Sequence, residues 1–426
     1  MTWIYLAVLA VAVGSALLRG GDLFSPGRIY IALYSLLMAL WSLKLSQLQT
    51  PWSMTTHLLF WGANIMFVTG NFLAFMLRTI KVPDFRLDFG RIRSRLAMDA
   101  AGMDWPWLYR VFFCCVLVYL ISFAASAVIT GGIPVLAKRP DEARIAFFGA
   151  TVITNYGMFF GPMALMLCAE MLVFARMERP LKRKVLLLGG TVLFLYLTLV
   201  TRYDIFRFFI FSVALYHYGV KPLQLKHLAM GTIFVMGIFM VAFLVRINSG
   251  SLDTFNEMIK VRMPPEFAWA SGIYAYIAND FWNLDFAIRK FEDGVDFYPI
   301  QYGFGLLRAP LFLLHLDAGL ANSFGFDSIM NESVIKLKGF NTIIYVWHFY
   351  KDFGAIGVYL LALLFGLGVA VFYQNTILRP TIFRVAMWAL ILPAVVLSYH
   401  APLWELWFFY MNILLMFVAH RKLSIT

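Results

Sequence analysis

Charge is the scarcest commodity in this chain. Only 14% of its 426 residues are Asp, Glu, Lys or Arg, against 62% hydrophobic residues and 42 phenylalanines. Water-soluble domains carry nearer a quarter charged residues, because their surfaces must stay wet. That composition excludes an ordinary soluble fold and leaves a polytopic membrane protein. Cysteine is nearly absent as well: Cys114, Cys115 and Cys168 all lie in apolar runs. They form neither a disulfide framework nor a metal-ligand spacing. There is no P-loop, which excludes a nucleotide-driven pump, and no Asp-x-Asp triad to hold a metal-bound nucleotide sugar. The opening MTWIYLAVLAVAVGSALLRGG has its positive charge after the apolar run, so no cleaved signal peptide is expected.

What is present is a long series of apolar stretches near the spanning length of about 20 residues. They fall roughly at 2–18, 28–47, 55–77, 107–130, 149–175, 185–201, 204–220, 228–246, 353–374, 384–400 and 402–420. The expected fold is therefore all-α, with about eleven transmembrane helices in one integral membrane domain over residues 1–426. Lys and Arg crowd into alternate loops, notably RTIKVPDFRLDFGRIRSR and RMERPLKRK. The positive-inside rule places those loops in the cytoplasm, the N-terminus outside and the C-terminus inside. The net charge of +12 is absorbed by that asymmetry, so nucleic acid is not an expected partner.

The same alternation leaves a large external segment, 247–340, with seven Lys/Arg against eleven Asp/Glu. It is too apolar for a plain wet loop. EFAWASGIYAYIANDFWNLDFAI and FGLLRAPLFLLHL have helical periodicity and read as interfacial or re-entrant helices. Trp269, Trp282, Tyr274, Tyr276, Tyr298 and Tyr302 suit a water–lipid boundary belt, or equally the stacking of sugar rings. Arg144, Arg202, Arg207, Arg246 and Arg262 fall at the outer ends of spans, the side the positive-inside rule disfavours. A guanidinium keeps its charge when buried and grips phosphate oxygens in pairs. Arg144, Arg202, Arg207 and Arg262 are thus candidate ligands of a diphosphate. Arg207 also sits three residues after Asp204, which fits an ion pair within one helix.

The most concentrated polar signal is FNTIIYVWHFYKDFGAIGVYLLALLFGLGVAVFY, residues 340–373. On a helix His348 and Asp352 share a face, with Tyr345 one turn earlier. A carboxylate beside an imidazole orients it and tunes its basicity, as general-base chemistry requires. The bland alternative is a polar helix end meeting head groups and water. The spacing excludes the membrane acyltransferase motif, which has four residues between His and Asp where this chain has three.

The order GGIPVL…Arg144, then TRYDIFRFF bridging two spans, then ASGIYAYIANDFWNLDF, then FNTIIYVWHFYKDFGAIG entering a span, resembles the Wzy-type O-antigen polymerases, over about residues 110–375. Asn341-Thr342 and Tyr350-x-Asp352-Phe353-Gly354-x-x-Gly357 carry it best. The resemblance implies a GT-C-like fold, in the branch shared with O-antigen ligases. It implies a metal-independent, inverting glycosyltransferase of the bacterial inner membrane, without cofactors. The substrates would be undecaprenyl-diphosphate-linked oligosaccharides, joined on the periplasmic face, and a chain-length regulator is an implied partner. Asp352, with His348 or Tyr350, would take the proton from the acceptor hydroxyl. Tyr276, Asn279, Asn341 and Thr342 would hold sugar hydroxyls. In some members an arginine and a glycine with ten residues between them mark two external loops. Here Arg144 and Gly157 have twelve residues between them, and Arg262 and Gly272 nine. The alternatives from other classes are an O-antigen ligase and a flippase or ion-coupled carrier of lipid-linked sugar.

Overall fold

A computed structural model describes residues 2–18, 21–81, 87–137, 140–199, 201–224, 257–292, 300–324, 342–400 and 402–421, with a few isolated positions between. The first helices are α1 (Thr2–Leu18), α2 (Pro26–Trp41), α3 (Met54–Lys81), α4 (Phe89–Ala101) and α5 (Trp105–Thr130). Next come α6 (Pro140–Phe148), α7 (Val152–Met158), α8 (Phe160–Phe174), α9 (Arg179–Thr198) and α10 (Arg202–Gly219). The later part holds α11 (Ser271–Glu292), α12 (Phe304–Leu313) and α13 (Asp317–Phe324), then α14 (Tyr345–Leu378), α15 (Ile382–Val396) and α16 (Trp407–His420). Among the described residues there is no strand, only one isolated bridge between Ser46 and Val261.

Among the described residues, four helical stretches are long and apolar enough to cross a bilayer: Met54–Arg78, Trp105–Leu136, Val152–Phe174 and Tyr345–Leu378. Thr2–Ser15, Phe304–Leu313, Ile382–Val396 and Trp407–His420 are apolar but shorter. Of the eleven expected spans, the one near 228–246 lies largely outside the described residues. Both stretches read as helical within 247–340 are indeed helices, α11 and the short α12. The boundary-belt expectation is corrected for Tyr274 and Trp282, which are buried in the core, while Trp269 and Tyr302 are exposed. Tyr298 lies outside the described residues.

The helices gather into two compact units. One comprises Met1–Leu87, Asp253–Leu378 and Ile391–Met411. The other comprises Asp88–Leu252, Arg379–Leu390 and Asn412–Thr426. In the first, α3 lies along α14 with backbones in direct approach. A Cβ placed on Gly70 would collide with the Leu363 carbonyl, and one on Gly366 with the Phe67 carbonyl. Small residues at such crossings are how membrane helices gain packing where lipid supplies no hydrophobic drive. Trp41, Trp52, Phe60 and Phe281 form an aromatic cluster that joins α2, α3 and α11. The start of α3 is closed by a carboxylate from α11: Asp285 Oδ1 accepts from Ser53 N at 2.7 Å and from Thr56 Oγ1 at 2.8 Å.

The second unit is built around α8, every residue of which from Gly161 to Met171 is buried. Gly157 and Gly161 let α7 and α8 close on Ser122 and Tyr119 of α5. Inside this otherwise apolar helix, Glu170 is fully buried and pairs with His420 Nε2 at 2.9 Å. Asp99 of α4 accepts from Ile382 N at 2.7 Å and so caps α15.

The glycine contacts make a matched prediction. Gly366→Ala should destabilise the detergent-solubilised protein by about 1–3 kcal/mol, an overpacking cost. Gly368→Ala, where the added carbon meets nothing within 4 Å, should be near neutral. Thermal unfolding of the two variants side by side decides it; equal midpoints would refute the crossing.

Candidate functional site

The polar side chains of the first unit gather around a connector between α15 and α16, residues 397–406. Leucine 397 to His400 form a turn, and Leu403–Glu405 a single 3-10 turn. Two hydrogen bonds fix its first half. Ser398 O accepts from Tyr345 N at 3.0 Å, and Ser398 Oγ lies 3.2 Å from Tyr34 Oη. Tyr345 Oη in turn lies 2.9 Å from Tyr30 Oη. The sequence reading compressed this stretch to a one-residue link between spans, position 401, and so missed both ionisable groups on it.

The first of those groups is His400, whose Nδ1 lies 3.0 Å from Asp280 Oδ2 of α11. Asp280 is fully buried. Burial raises its carboxyl above the usual range, while His400 and the Thr342 hydroxyl pull the other way. An ionised carboxylate only accepts, so Nδ1 donates, and in the neutral imidazole that leaves the lone pair on Nε2. The Tyr276 ring packs against the imidazole, centroids 5.9 Å apart. One face of α11 supplies the remaining ligands: Asn279 Nδ2 donates to Thr342 Oγ1 and Asn283 Nδ2 to Thr342 O, each at 3.0 Å. Of the residues expected together as sugar-binding, Tyr276 thus packs on His400, while Asn279 and Thr342 meet each other beside its partner Asp280. Asn341 lies outside the described residues.

The second group is Glu405. His348 Nδ1 lies 2.8 Å from its Oε1 and Lys351 Nζ 3.6 Å from the same atom. Burial acts to raise this carboxyl, but His348, Lys351 and then Arg308 outweigh it and bring it down to about 2. Three basic groups thus face one carboxylate.

The expected pairing of His348 with Asp352 is not made, and this is a correction to the sequence reading. Both oxygens of Asp352 are turned to the start of α12, accepting from Gly305 N at 3.1 Å and Leu306 N at 3.0 Å. A carboxylate at the first turn of a helix satisfies donors that have no partner in the helix itself. Gly305 is needed there, since a Cβ would lie 2.7 Å from Asp352 Oδ1. The segment that carries these residues is set apart from the rest of α14 by a break at Gly354, with φ 66° and ψ −162°. Only glycine adopts that conformation readily. Tyr350 is buried, with its ring edge-on to Phe291 at 5.1 Å.

The four arginines do not converge with these groups within the first unit. Arg262 is exposed, its N–H donating to Leu45 O at 2.8 Å. Arg144 on α6, Arg202 at the start of α10 and Arg207 belong to the second unit. Arg207 is only 1% exposed and its Nη1 meets Asp204 Oδ1 at 3.0 Å, the ion pair within one helix that the spacing allowed. Asp204 is held a second time by the Tyr196 hydroxyl at 2.9 Å.

Asp280, His400, Glu405 and Arg308 were given no role by the sequence. The signal that finds them is general: ionisable residues inside apolar stretches are costly and need a partner, so each asks for one. A carboxylate-oriented imidazole flanked by an aromatic ring, an amide and a hydroxyl can take a proton from a bound alcohol.

The low pKa of Glu405 fixes a pH dependence. Its contribution to stability should be complete above the unfolded carboxylate value near 4.3 and lost as pH falls toward 2. Glu405→Gln should lower stability near neutral pH by about 3–5 kcal/mol, because it strands buried cations. It should also make the acid fall shallower; unfolding midpoints of both proteins against pH test this.

No protein-family model, curated protein or solved structure matches this chain.

Proposed function

We propose that this chain is a membrane glycosyltransferase that polymerises lipid-linked oligosaccharide repeat units. In full, the reading is of an eleven-span, GT-C-like enzyme of the bacterial inner membrane. It would join undecaprenyl-diphosphate-linked glycans on the periplasmic face, with the N-terminus outside and the C-terminus inside. The observation that supports it most is the pair Asp280–His400 with Tyr276, Asn279 and Thr342 beside it. Hydrogen-bonding groups around an aromatic face and one oriented base suit a sugar hydroxyl that must become a nucleophile.

In this mechanism the acceptor hydroxyl gives its proton to Nε2 of His400, and its oxygen attacks the anomeric carbon of the donor. The bond from that carbon to the diphosphate breaks as the new glycosidic bond forms, and the carrier leaves with the electron pair. Direct displacement inverts the anomeric configuration. Asp280 holds the imidazole in its productive tautomer and stabilises the imidazolium. Within the first unit, Lys351 and Arg308 beside Glu405 are candidates to steady the departing diphosphate, while Arg144, Arg202, Arg207 and Arg262 remain the candidates that the sequence offered. Asp352, the base first expected, would have to give up two main-chain hydrogen bonds to act as one, so His400 takes that role.

A histidine-centred site also fits an O-antigen ligase, which moves finished glycan onto a lipid A core, and this is the second reading. One experiment separates the two. His400→Ala and Asp280→Asn are expressed in a strain lacking the chromosomal copy, with protein level monitored. Loss of general-base assistance should cut polymer formation by roughly 10²–10⁴-fold, leaving single-repeat capping. Free core without any attached glycan would mark a ligase instead. Undiminished long polymer from both variants would end the proposed role of His400.

A further inference from the structure

We propose that α12 is a hinged cover over the His348–Lys351–Glu405 cluster and that Asp352 is its latch. The inference deepens the reading above, because it says how a glycan would reach a cluster that is closed in this structure. The His348, Lys351 and Glu405 side chains are only 7%, 7% and 14% exposed. Helix α12 closes over them at three points. At its start, the Asp352 carboxylate holds Gly305 N and Leu306 N, and Gly305 itself sits over the Lys351 side chain. In its middle, Arg308 adds its charge to the field at Glu405. Near its end, the Phe312 ring stacks on Trp407 with centroids 5.8 Å apart and planes at 27°.

Two further features separate a cover from a fixed wall. Both ends of α12 pass through the left-handed region: Tyr302 at φ 49° and Gly303 at 87° before it, His315 at 56° after it. Non-glycine residues are held there only by their surroundings, so Tyr302 and His315 are places where backbone torsion relaxes when the latch releases. The outward face of the element is apolar and uncovered, with Leu307 at 57% and Leu314 at 66% exposure. Swinging the element outward therefore breaks only the contacts of its inner side. These are two charge-assisted hydrogen bonds, the main-chain bond from Gln301 N to Lys351 O at 3.0 Å, the packing of Phe304 and Ala309, one ionic attraction and one ring stack. Asp352 is on this account a positioning residue, acting through α12 and not on a sugar.

The test begins with a protein whose Cys114, Cys115 and Cys168 are replaced, carrying Lys351→Cys as a reporter beneath α12. Labelling by a membrane-impermeant maleimide in intact spheroplasts should be slow. Adding Asp352→Asn should speed it by about tenfold or more, since the charge that grips the two N–H groups is gone. A second protein pairs Phe312→Cys with Trp407→Cys, joined by a short reducible cross-linker. With Lys351→Cys present and labelled after cross-linking, the reporter should stay protected even in the Asp352→Asn background, and reduction should restore its reactivity. Equal labelling rates with and without Asp352, unaffected by the cross-link, would overturn the cover. The labelling readout does not depend on the glycan chemistry. If labelling responds as stated while polymer formation is indifferent to the cross-link, the cover stands and the polymerase reading falls.

Discussion

A carboxylate withdrawn from water must find cations or N–H groups, and in this chain that requirement organises the structure. Several of the described acids are spent on linking helices, while Asp88 and Asp104 cap the helices they precede. Asp285 of α11 closes the start of α3 and also takes Arg289 Nε at 2.8 Å. Asp99 of α4 closes the start of α15, and Asp352 that of α12. Asp22 receives the Tyr373 hydroxyl at 2.6 Å, and Glu170 meets His420. Helix termini carry unpaired donors, and an apolar surrounding makes leaving them unpaired expensive. Each linking acid therefore joins elements that are distant in sequence.

Against that background the connector between α15 and α16 stands out, because it brings two carboxylate–imidazole pairs close in sequence. His400 receives its partner from α11, and Glu405 offers itself to α14. The ring hydroxyls of Tyr30, Tyr34 and Tyr345 sit behind Ser398 and hold the connector's start. The helix-end carboxylates Asp99 and Asp352 accept from main-chain donors. These two pairs instead contain titratable nitrogens next to groups able to bind a hydroxylated or anionic ligand, and this chemical difference marks them as a site.

Much of the site was within reach of the sequence, though not as paired there. Asn279, Thr342 and Tyr276 were singled out together; Asn279 meets Thr342, and Tyr276 packs on His400. His348 was singled out, but its carboxylate turned out to be Glu405, fifty-seven residues away, rather than Asp352 one turn along. Helical periodicity places His348 and Asp352 on one face; it does not report that the start of α12 competes for the carboxylate and wins with two N–H donors. Arg207 illustrates the converse. Its neighbour Asp204 was visible at three residues' distance, and local geometry was enough.

What the sequence alone determined was the class of molecule: an apolar majority with sparse charge compels helices whose backbone groups are satisfied within themselves. It also marked the apolar helices, including α11 and α12 within the long external segment, because a helical period is a local property; the polar α4 lies in what read as a loop. What only the tertiary structure decided was the partner of each buried charge. A lone ionisable side chain in an apolar stretch states that a partner must exist, but many candidates can meet it. Which one does is settled by the close approach of backbones at Gly70, Gly366 and Gly305, and by the break at Gly354 that turns the start of α14 toward the connector.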